Sequence, residues 1–288
     1  MTTVAYQGEP GAFGEEAIIG YFGAGAVLPT PMPTFSAVCA AVESGAVDAG
    51  VLPLENSVAG TVGDALDALA DGSLRVVGEL LLPIRHHLLA LPGVRIDQIT
   101  RVASHWQALS QCERYLSTRD WEIVPAADTA GAARELAAAG DARVAAVASS
   151  TAAERYELEI LAADIQDSAH NLTRFVVLAP VVGATRLPTA KGTLAPLPGG
   201  GRETLLTFET GHRPGDLYRA LGAFADAGVN LSRIESRPSR TGPWRYRFLV
   251  QVAGDEATPP LAAALAVLRE RTSSMRVLGS FDAANGDR

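Results

Sequence analysis

A stretch rich in proline and glycine divides this chain into two unequal parts. Between residues 180 and 201 it contains Pro188, Pro196 and Pro198, and it ends in Gly199-Gly200-Gly201. Proline lacks the amide hydrogen that helices and central strands need, and consecutive glycines lose much backbone entropy on ordering. The stretch therefore predicts a linker over residues 180–203, with a larger unit at 3–179 and a smaller one at 204–282.

Short apolar runs alternate with helical patterns throughout the larger unit. Strands are predicted at residues 4–6, 47–52, 84–91, 99–103, 143–148 and 175–178, and helices from Glu15, Thr61, Ser104, Asp128 and Thr151. Three of these helix starts, Thr61, Ser104 and Thr151, have the form of a capping box. Alternating strands and helices predict βαβ units and a mainly parallel sheet, so the fold class is α/β.

The alternation forms two stretches that separate near Gly78 and rejoin near Ile165. We therefore predict two lobes, one of about residues 3–78 plus 166–179 and the other of residues 79–165, around a cleft. Open α/β sheets bind ligands at the carboxyl edges of their strands, where helix N-termini offer free N–H groups to anions.

Composition excludes several classes of protein. The net charge is −8, from 32 acidic and 24 basic residues, and no dense Lys/Arg run is present, so we expect no nucleic-acid partner. We expect no membrane span, because no charge-free apolar stretch reaches 18 residues. The first residues lack the basic and apolar regions of a secretion signal. Two isolated cysteines, Cys39 and Cys112, are predicted to be buried free thiols in a cytoplasmic protein.

Three polar segments fall where the α/β pattern predicts the cleft. Asn56 and Ser57 follow a strand end, Ser104 and Gln111 flank a helix start, and residues 171–175 open the apolar strand. Asn-Ser is equally typical of an ordinary turn, and Ser104 of a helix cap. The Gly-rich residues 8–14 lack the spacing of a nucleotide-binding loop, which favours a plain connector.

The sequence Asn-Leu-Thr-Arg-Phe combines an amide, a hydroxyl and a guanidinium, which suits a small carboxylate ligand. Alternation along a strand would place Thr173 and Phe175 on one face and Arg174 on the other. No metal-ligand spacing or hydrolase signature is present, so we expect neither a metal nor a cofactor. Hydroxyl and amide donors would then act by positioning and by oriented dipoles.

The order and spacing of these segments resemble the prephenate dehydratase family over the whole larger unit. The matching segments are residues 4–8, 11–13, 53–57, 104–105, 107–109, 111–112, 165–167, 171 and 173–175. The resemblance implies a two-lobed fold similar to type II periplasmic binding proteins. It also implies conversion of prephenate into phenylpyruvate, water and carbon dioxide in phenylalanine synthesis, with the Thr of Thr-Arg-Phe as the essential residue.

Roles for individual residues follow from this resemblance. Thr173 would donate a hydrogen bond to the departing hydroxyl, and Arg174 would hold the retained carboxylate unless alternation turns it away. The other candidate catalytic residues, which would orient the substrate or line its site, are Asn56, Ser57, Ser104, Gln111 and Phe175. Two positions depart from the family: Trp106 stands where proline is usual, and Ala59-Gly60 stands where Glu-Gly is usual.

The smaller unit is predicted as βαββαβ and resembles an ACT domain, a ligand-binding regulatory module. Residues 228–238 resemble the phenylalanine-binding form, which implies L-phenylalanine as an inhibitory effector. The candidate effector-binding residues are Gly215, Leu217, Asn230, Leu231, Glu235, Ser236, Arg237 and Pro238. Asp216 replaces a small residue of the family and adds a negative charge there. Exposed sheet edges in such modules predict a homodimer or homotetramer.

Two other functions remain open at the level of sequence. A binding or transport receptor would share the two-lobed fold, although it would normally carry a secretion signal. An arogenate dehydratase, or a decarboxylase that does not form an aromatic ring, would share many of the motifs.

Overall fold

A computed structural model describes residues 1–181, 187–196, 201–211, 213–240 and 242–284. Within these ranges the chain forms two α/β lobes and a C-terminal domain. Residues 182–186 and 197–200 of the predicted linker lie outside the described ranges. No described helix is long and apolar enough to cross a membrane.

The first lobe is built on a mixed sheet. Its elements are β1 (Thr3–Gln7), α1 (Phe13–Phe22), β2 (Leu28–Met32), α2 (Phe35–Glu43), β3 (Ala49–Asn56), β4 (Gly60–Thr61), α3 (Gly63–Asp71), β5 (Arg75–Pro83) and β11 (Leu172–Ala179). The strand order is β2-β1-β3-β11-β5, with β4 beside β3. β1 is parallel to β2 and β3, whereas β11 is antiparallel to β3 and β5, since the chain re-enters this lobe in the opposite direction.

The second lobe lies between β5 and β11 in the chain. Its elements are β6 (His87–Ala90), a 3-10 helix (Ile96–Gln98), β7 (Arg101–His105), α4 (Trp106–Gln111), α5 (Glu113–Leu116), β8 (Glu122–Ala126), α6 (Thr129–Ala139), β9 (Val144–Ala148), α7 (Ser150–Arg155) and β10 (Glu159–Ala162). Its strand order is β10-β6-β9-β7-β8, and both β6 pairings are antiparallel. The prediction of mainly parallel sheets is therefore wrong, because each sheet mixes the two directions.

The crossing from the first lobe to the second follows Pro83, later than the predicted boundary at residue 78. Strand β5, which was not predicted, pairs with β11 as far as Pro83 and keeps residues 79–83 in the first sheet. β11 is therefore hydrogen-bonded on both sides, to β3 and to β5, whereas β5 is the last strand of this sheet.

The C-terminal domain has the predicted βαββαβ order. Its elements are β12 (Arg202–Glu209), α8 (Asp216–Asp226), β13 (Leu231–Pro238), β14 (Tyr246–Ala253), α9 (Pro259–Arg271) and β15 (Ser274–Asp282). The strands form one antiparallel sheet in the order β13-β14-β12-β15. Helices α8 and α9 cover one face of this sheet through an apolar cluster that includes Phe224 and Leu268.

The other face of the C-terminal sheet packs on the first lobe. Leu205, Leu249, Leu278 and Phe281 belong to the same hydrophobic cluster as Leu66 and Val76. Burial of each such side chain stabilises the fold by roughly 1.5–3 kcal/mol. Gly279 allows strand β15 to approach β5, since a Cβ atom there would lie 2.0 Å from the Val76 carbonyl oxygen. The two domains therefore share a continuous core.

The three predicted capping boxes are wrong. Thr61 lies in β4, and helix α3 begins after Val62 without a side-chain cap. Ser104 lies in β7, and its hydroxyl donates to the Val147 carbonyl at 2.6 Å instead of capping α4. Thr151 lies inside α7. Thr61 and Ser104 each belong to the strand that precedes the helix, so their hydroxyl groups face a neighbouring element and do not cap the helix.

Other residues cap these helices where the backbone turns. Ser149 Oγ accepts from Ala152 N at 3.0 Å at the start of α7. His105 Nδ1 accepts from Gln107 N at 3.4 Å at the start of α4. Asp128, the predicted start of α6, accepts from Gly131 N at 2.6 Å and is confirmed as its cap.

Part of the predicted linker packs against α1. Gly192 N donates to Tyr21 O at 2.9 Å, and Leu194 N donates to Gly20 O at 2.8 Å. Leu187 and Leu194 also contact the apolar cluster beneath α1. This segment therefore fixes part of the linker to the first lobe, although its composition predicts a free connector.

The buried free thiols are confirmed. Cys39 lies in α2 and Cys112 lies at the end of α4, and both are buried without a disulfide. Burial raises the pKa of the Cys39 thiol to about 11 and that of the Cys112 thiol to about 12. Both groups are therefore protonated and unreactive near neutral pH.

Candidate active site

A cleft of about 410 Å³ lies where the first and second lobes meet. The first lobe contributes the ends of β1, β3 and β11 and the start of α1, and the second contributes α4 and the start of α6. The lining residues with polar side chains are Gln7, Asn56, Asp64, His86, His105, Gln107, Gln111, Asp128, Thr129 and Thr173. The carboxyl ends of β1 and β3 and several helix starts thus line the cleft, as the α/β pattern predicts. The antiparallel strand β11 contributes its amino end, which the pattern does not predict.

The orientation of the Asn56 amide is fixed by the backbone. Its Oδ1 accepts from Val58 N at 3.0 Å and from Ala59 N at 2.8 Å. A reversed amide would place its NH₂ group against these two N–H donors, so only one orientation is compatible with both bonds. Nδ2 must therefore point towards β11.

Three acceptors on or beside β11 surround Asn56 Nδ2. They are Asn171 Oδ1 at 2.7 Å, Thr173 Oγ1 at 2.9 Å and the Leu172 carbonyl at 3.2 Å. Asn56 lies directly opposite Thr173 in the antiparallel register of β3 and β11. This pairing explains why two segments more than a hundred residues apart in the chain meet at one point.

The network leaves the hydroxyl hydrogen of Thr173 free for a ligand. Because Thr173 Oγ1 accepts from Asn56, its own hydrogen is available for donation, and Thr173 lines the cleft. Thr173 is only 7% exposed, so little water competes for that hydrogen. Phe175 lies on the same face, as alternation predicts, and supplies an apolar wall to the cleft.

The same logic orients Gln111. Asn171 Oδ1 accepts from Asn56, so Asn171 Nδ2 donates to Gln111 Oε1 at 2.9 Å. Gln111 Nε2 is thereby directed towards Asn56 Oδ1, 3.4 Å away, and the cleft. Each of the three side-chain amides in this hydrogen-bond network, those of Asn56, Asn171 and Gln111, therefore has one orientation. The N–H groups of Val58 and Ala59 determine all three orientations.

His86 completes the network, and the sequence analysis missed it. Its Nε2 lies 2.9 Å from Gln111 Oε1, an atom that can only accept, so Nε2 carries the hydrogen. The ring is 2% exposed and its edge contacts Phe13. In the sequence His86 lies within the predicted strand 84–91 and belongs to no motif, and only the fold reveals that it faces Gln111.

Burial keeps His86 neutral. Desolvation lowers its pKa below the ordinary value of 6.5, outweighing the opposing effect of the hydrogen bond that it donates to Gln111, and neighbouring His87 lowers it further. The folded state therefore resists protonation more than the unfolded chain does. Stability is complete above the unfolded pKa and is lost as the pH falls through it.

His86 therefore contributes a fall in unfolding temperature as the pH is lowered from about 7 to about 5. Glu16, whose pKa burial raises to about 7, contributes in the opposite direction. We expect His86→Gln to remove the His86 contribution, so the variant should lose less stability on acidification than the unaltered chain. The Gln side chain can still donate to Gln111 but does not titrate. Thermal unfolding of both proteins across this range is the measurement. His87 and His105 have pKa values lowered in the same direction by burial, so part of the slope should remain. An identical slope in the variant would contradict the assignment.

Three predicted catalytic residues lie outside the cleft. Ser57 Oγ donates to the His170 carbonyl at 2.7 Å and accepts from Leu172 N at 2.9 Å, so it braces the loop before β11. The buried Ser104 hydroxyl is bound to β9. Arg174 points to the opposite face of β11, where it pairs with Glu79, so it does not line the cleft in which it was expected to hold a substrate carboxylate. The alternation argument is confirmed for Arg174.

The predicted effector residues lie at several separate places in the part of the chain that the structure describes. Gly215 starts α8 with φ +82°, and Leu217 and Leu231 contact the core of the C-terminal domain. Asn230 lies beside a separate cavity between the domains.

Residues of the β13 sequence Glu-Ser-Arg-Pro instead contact the first lobe. Glu235 Oε2 accepts from Thr61 Oγ1 at 2.8 Å, and Arg237 Nη2 donates to Asp67 Oδ2 at 2.7 Å. Ser236 and Pro238 are exposed. Glu235 and Arg237 therefore join the two domains.

Comparison with known proteins gives a consistent result. Residues 4–181 match the family model for prephenate dehydratase, and residues 204–270 match that for the ACT domain. The chain is 40% identical to arogenate dehydratase 1 of Petunia hybrida, over 96% of this chain and 66% of that protein. It is 37% identical to the bifunctional chorismate mutase/prephenate dehydratase of Aquifex aeolicus, over 98% of this chain and 74% of that protein.

Among solved structures, the chain is similar to the prephenate dehydratase of Arthrobacter aurescens in complex with L-Phe. The TM-score is 0.86 at 33% identity, covering 98% of this chain and 90% of that one. The predicted fold class, a two-lobed α/β unit followed by a βαββαβ domain, is confirmed. Matches of this extent show that the chain belongs to the prephenate dehydratase family and carries an ACT domain.

Proposed function

We propose that this chain catalyses the decarboxylating dehydration of prephenate to phenylpyruvate, a carbon–oxygen lyase reaction. The bond from the ring to the departing carboxylate breaks and carbon dioxide leaves. Its electron pair enters the ring, which becomes aromatic, while the ring hydroxyl departs with a proton as water. The proposed catalytic unit is residues 3–179, joined by a linker at 180–203 to a regulatory unit at 204–282.

The observation that carries this proposal is the directed hydroxyl of Thr173. Negative charge develops on the departing oxygen, so a preorganised donor at that point stabilises the transition state more than the ground state. A neutral alcohol is a weak acid, so orientation by Asn56 must supply most of the effect. Gln111 Nε2 offers a second donor, and Phe175 and Phe13 provide apolar surface for the ring.

The direct test is to incubate the protein with prephenate and follow the absorbance of phenylpyruvate. Turnover that is lost in Thr173→Val supports the assignment. Absence of turnover with prephenate would overturn it, provided that a thermal unfolding transition shows the protein to be folded.

A second candidate substrate is arogenate, which carries an ammonium group in place of the keto oxygen of prephenate. The specific observation is that Asp64 and Asp128 line the cleft, whereas no Lys or Arg is among its described lining residues. A carboxylate near the side chain of the substrate would favour the ammonium form. Comparing kcat/KM for the two substrates separates these candidates.

We further propose L-phenylalanine as an inhibitor that binds the ACT domain. Backbone N–H groups at the start of α8 suit its carboxylate. Asn230 follows the other end of α8, so it would reach the ammonium group of the ligand from a second copy of the chain. The charge of Asp216 is offset, because Asp216 accepts from Arg213 N at 2.8 Å and pairs with Arg219. These contacts, the Arg213 backbone bond first, lower the pKa of Asp216.

We expect millimolar phenylalanine to bind and to inhibit, and Asp216→Ala to tighten binding by less than about tenfold. The free energy that couples phenylalanine binding to substrate binding at a distant site is typically about 1–3 kcal/mol. The coupling is reciprocal, so substrate should weaken phenylalanine binding by the same factor by which phenylalanine weakens substrate binding. Calorimetry and inhibition curves on both proteins are the measurements. Inhibition without any heat of binding, or neither effect at millimolar ligand, would contradict the proposal.

We also propose a cytoplasmic homodimer or homotetramer. β13 is an edge strand of the C-terminal sheet, and its Ile234 is 42% exposed. An unpaired edge of this kind commonly pairs with a second copy. We expect sedimentation at micromolar concentration to give a species of at least twice the chain mass of 30.0 kDa. A single species at the chain mass would refute the proposal.

A further inference from the structure

The strand that carries Thr173 also carries Arg174, and the two side chains point to opposite faces of the first-lobe sheet. Thr173 faces the cleft, whereas Arg174 Nη1 donates to Glu79 Oε1 at 2.6 Å on the face that packs against the ACT domain. Glu79 lies on the neighbouring strand β5 and is 0% exposed. Because adjacent residues of a strand move together, a change in the place of Arg174 displaces Thr173.

The carboxylate of Glu79 is shared with the ACT domain. Gln251 Nε2 donates to Glu79 Oε1 at 3.0 Å, and Ala284 N donates to Glu79 Oε2 at 3.0 Å. Gln251, on β14, is 1% exposed and also donates to Glu203 on β12. A buried carboxylate needs its donors, so Glu79 ties the position of Arg174 to that of the ACT sheet.

A parallel contact acts on the strand that carries Asn56. Glu55 precedes Asn56 and lies opposite Arg174 in the β3–β11 register. Its Oε2 lies 3.4 Å from Nε of Arg233 on β13, and Arg233 Nη2 donates to the Leu54 carbonyl at 3.3 Å. Arg174, Glu79, Gln251, Glu55 and Arg233 thus form a polar cluster between the domains. Asn56 and Thr173, the two proposed catalytic residues, each adjoin a member of this cluster in the chain.

The cluster has room for a second arrangement. A cavity of about 370 Å³ lies between the domains, and Arg174, Arg233 and Gln251 line it. Three buried atoms there, Arg174 Nε, Arg233 Nη1 and Gln251 Oε1, have no hydrogen-bond partner among the described residues. Unused hydrogen-bonding capacity beside open space permits the side chains to exchange partners when the domains shift.

We propose that Arg174 is a positioning residue through which the ACT domain, by way of Gln251 and Glu79, sets the place of the Thr173 hydroxyl. The proposal rests on the dehydratase activity proposed above, and it assigns Arg174 a role on the face away from the substrate. Loss of the link alters the transition-state contact of Thr173 and leaves most binding contacts in place. Its effect should therefore appear in kcat rather than in KM.

The test compares Arg174→Met, Arg174→Lys and Gln251→Met with Arg276→Met. The last variant is the matched control, since Arg276 on β15 also bridges the domains. It donates to the Leu69 carbonyl of α3 at 2.9 Å, rather than to a residue of β3 or β11. We expect Arg174→Met and Gln251→Met to lower kcat about tenfold with KM within about twofold, because small misplacements of catalytic groups are costly. Arg174→Lys retains a cation for Glu79 and should recover most of the loss.

Thermal unfolding of each variant separates positioning from general stability. Arg276→Met should lower the unfolding temperature while keeping kcat near that of the unaltered chain. If Arg174→Met fails to fold, Gln251→Met, which lies in the other domain, still decides the question. Unchanged kcat in Gln251→Met, or an equal loss in Arg276→Met, would overturn the proposal. Absence of turnover in the unaltered chain would instead overturn the proposed function.

Discussion

Replacing Thr173 by valine is expected to lower kcat by about 10²-fold or more while leaving the fold intact. Valine matches the shape of threonine but lacks the hydroxyl, so the cleft keeps its volume and loses the donor. Removal of one preorganised donor to a developing oxyanion typically costs 10²–10³ in kcat. Asn56 Nδ2 keeps two of its three acceptors in the variant, so the free energy of unfolding should change little.

Steady-state kinetics with prephenate and thermal unfolding are the measurements for Thr173→Val. Thr173→Ser is the matched control, because it keeps an oxygen that can accept from Asn56 and donate to the substrate. It should retain most of the activity that valine loses. A kcat within about threefold of the unaltered value in Thr173→Val would remove Thr173 from the mechanism, since losing one transition-state donor should cost far more.

The secondary structure that surrounds the site follows largely from local pattern. The apolar run at Phe175 predicts β11, and the alternation that separates Arg174 from Thr173 holds in the structure. Such features depend only on neighbouring residues, which is why periodicity reveals them. The βαββαβ order of the smaller unit is accessible for the same reason.

Strand direction and partners depend on the whole fold. The antiparallel entry of β11 between β3 and β5 follows from the return of the chain from the second lobe, and no local pattern encodes it. Because strand β5 was not predicted, the boundary between the two lobes was predicted near residue 78, before the observed crossing after Pro83. His86 escaped notice because its role depends on Gln111, 25 residues further along the chain, which reaches it only once the second lobe has folded.

The resemblance to the family points to strand β11 but could not show which of its side chains face the cleft. Ser104 and Ser57 lie in segments that line the cleft, yet both hydroxyls are bound to backbone groups. Short polar side chains readily bond to nearby backbone, and this competes with a catalytic role. Whether such a hydroxyl binds the backbone or the substrate depends on where its hydrogen-bond acceptors lie, and only the folded structure gives their positions.

Asn56→Asp should be nearly as damaging as the loss of the Thr173 hydroxyl, although it changes only an NH₂ group into an oxygen. The remaining Oδ1 can still accept from Val58 N and Ala59 N, so the side chain should keep its place. The introduced oxygen would face Asn171 Oδ1 at about the present 2.7 Å, which is repulsive. Thr173 would then turn its hydrogen towards the carboxylate and away from the substrate. We expect kcat/KM to fall by about 10²-fold or more.

The pH dependence of Asn56→Asp distinguishes a diverted hydrogen from simple misfolding. Burial raises the pKa of a carboxyl group, and the protonated acid can again donate to one of the former partners of Nδ2. Activity of the variant relative to the unaltered chain should therefore rise as the pH is lowered towards 5, whereas a misfolded protein would show no such recovery. Kinetics over this range, with circular dichroism at each pH, are the measurement. Activity within about threefold of the unaltered chain at neutral pH would show that Asn56 does not orient Thr173, since that role implies a loss of the size expected for a missing donor.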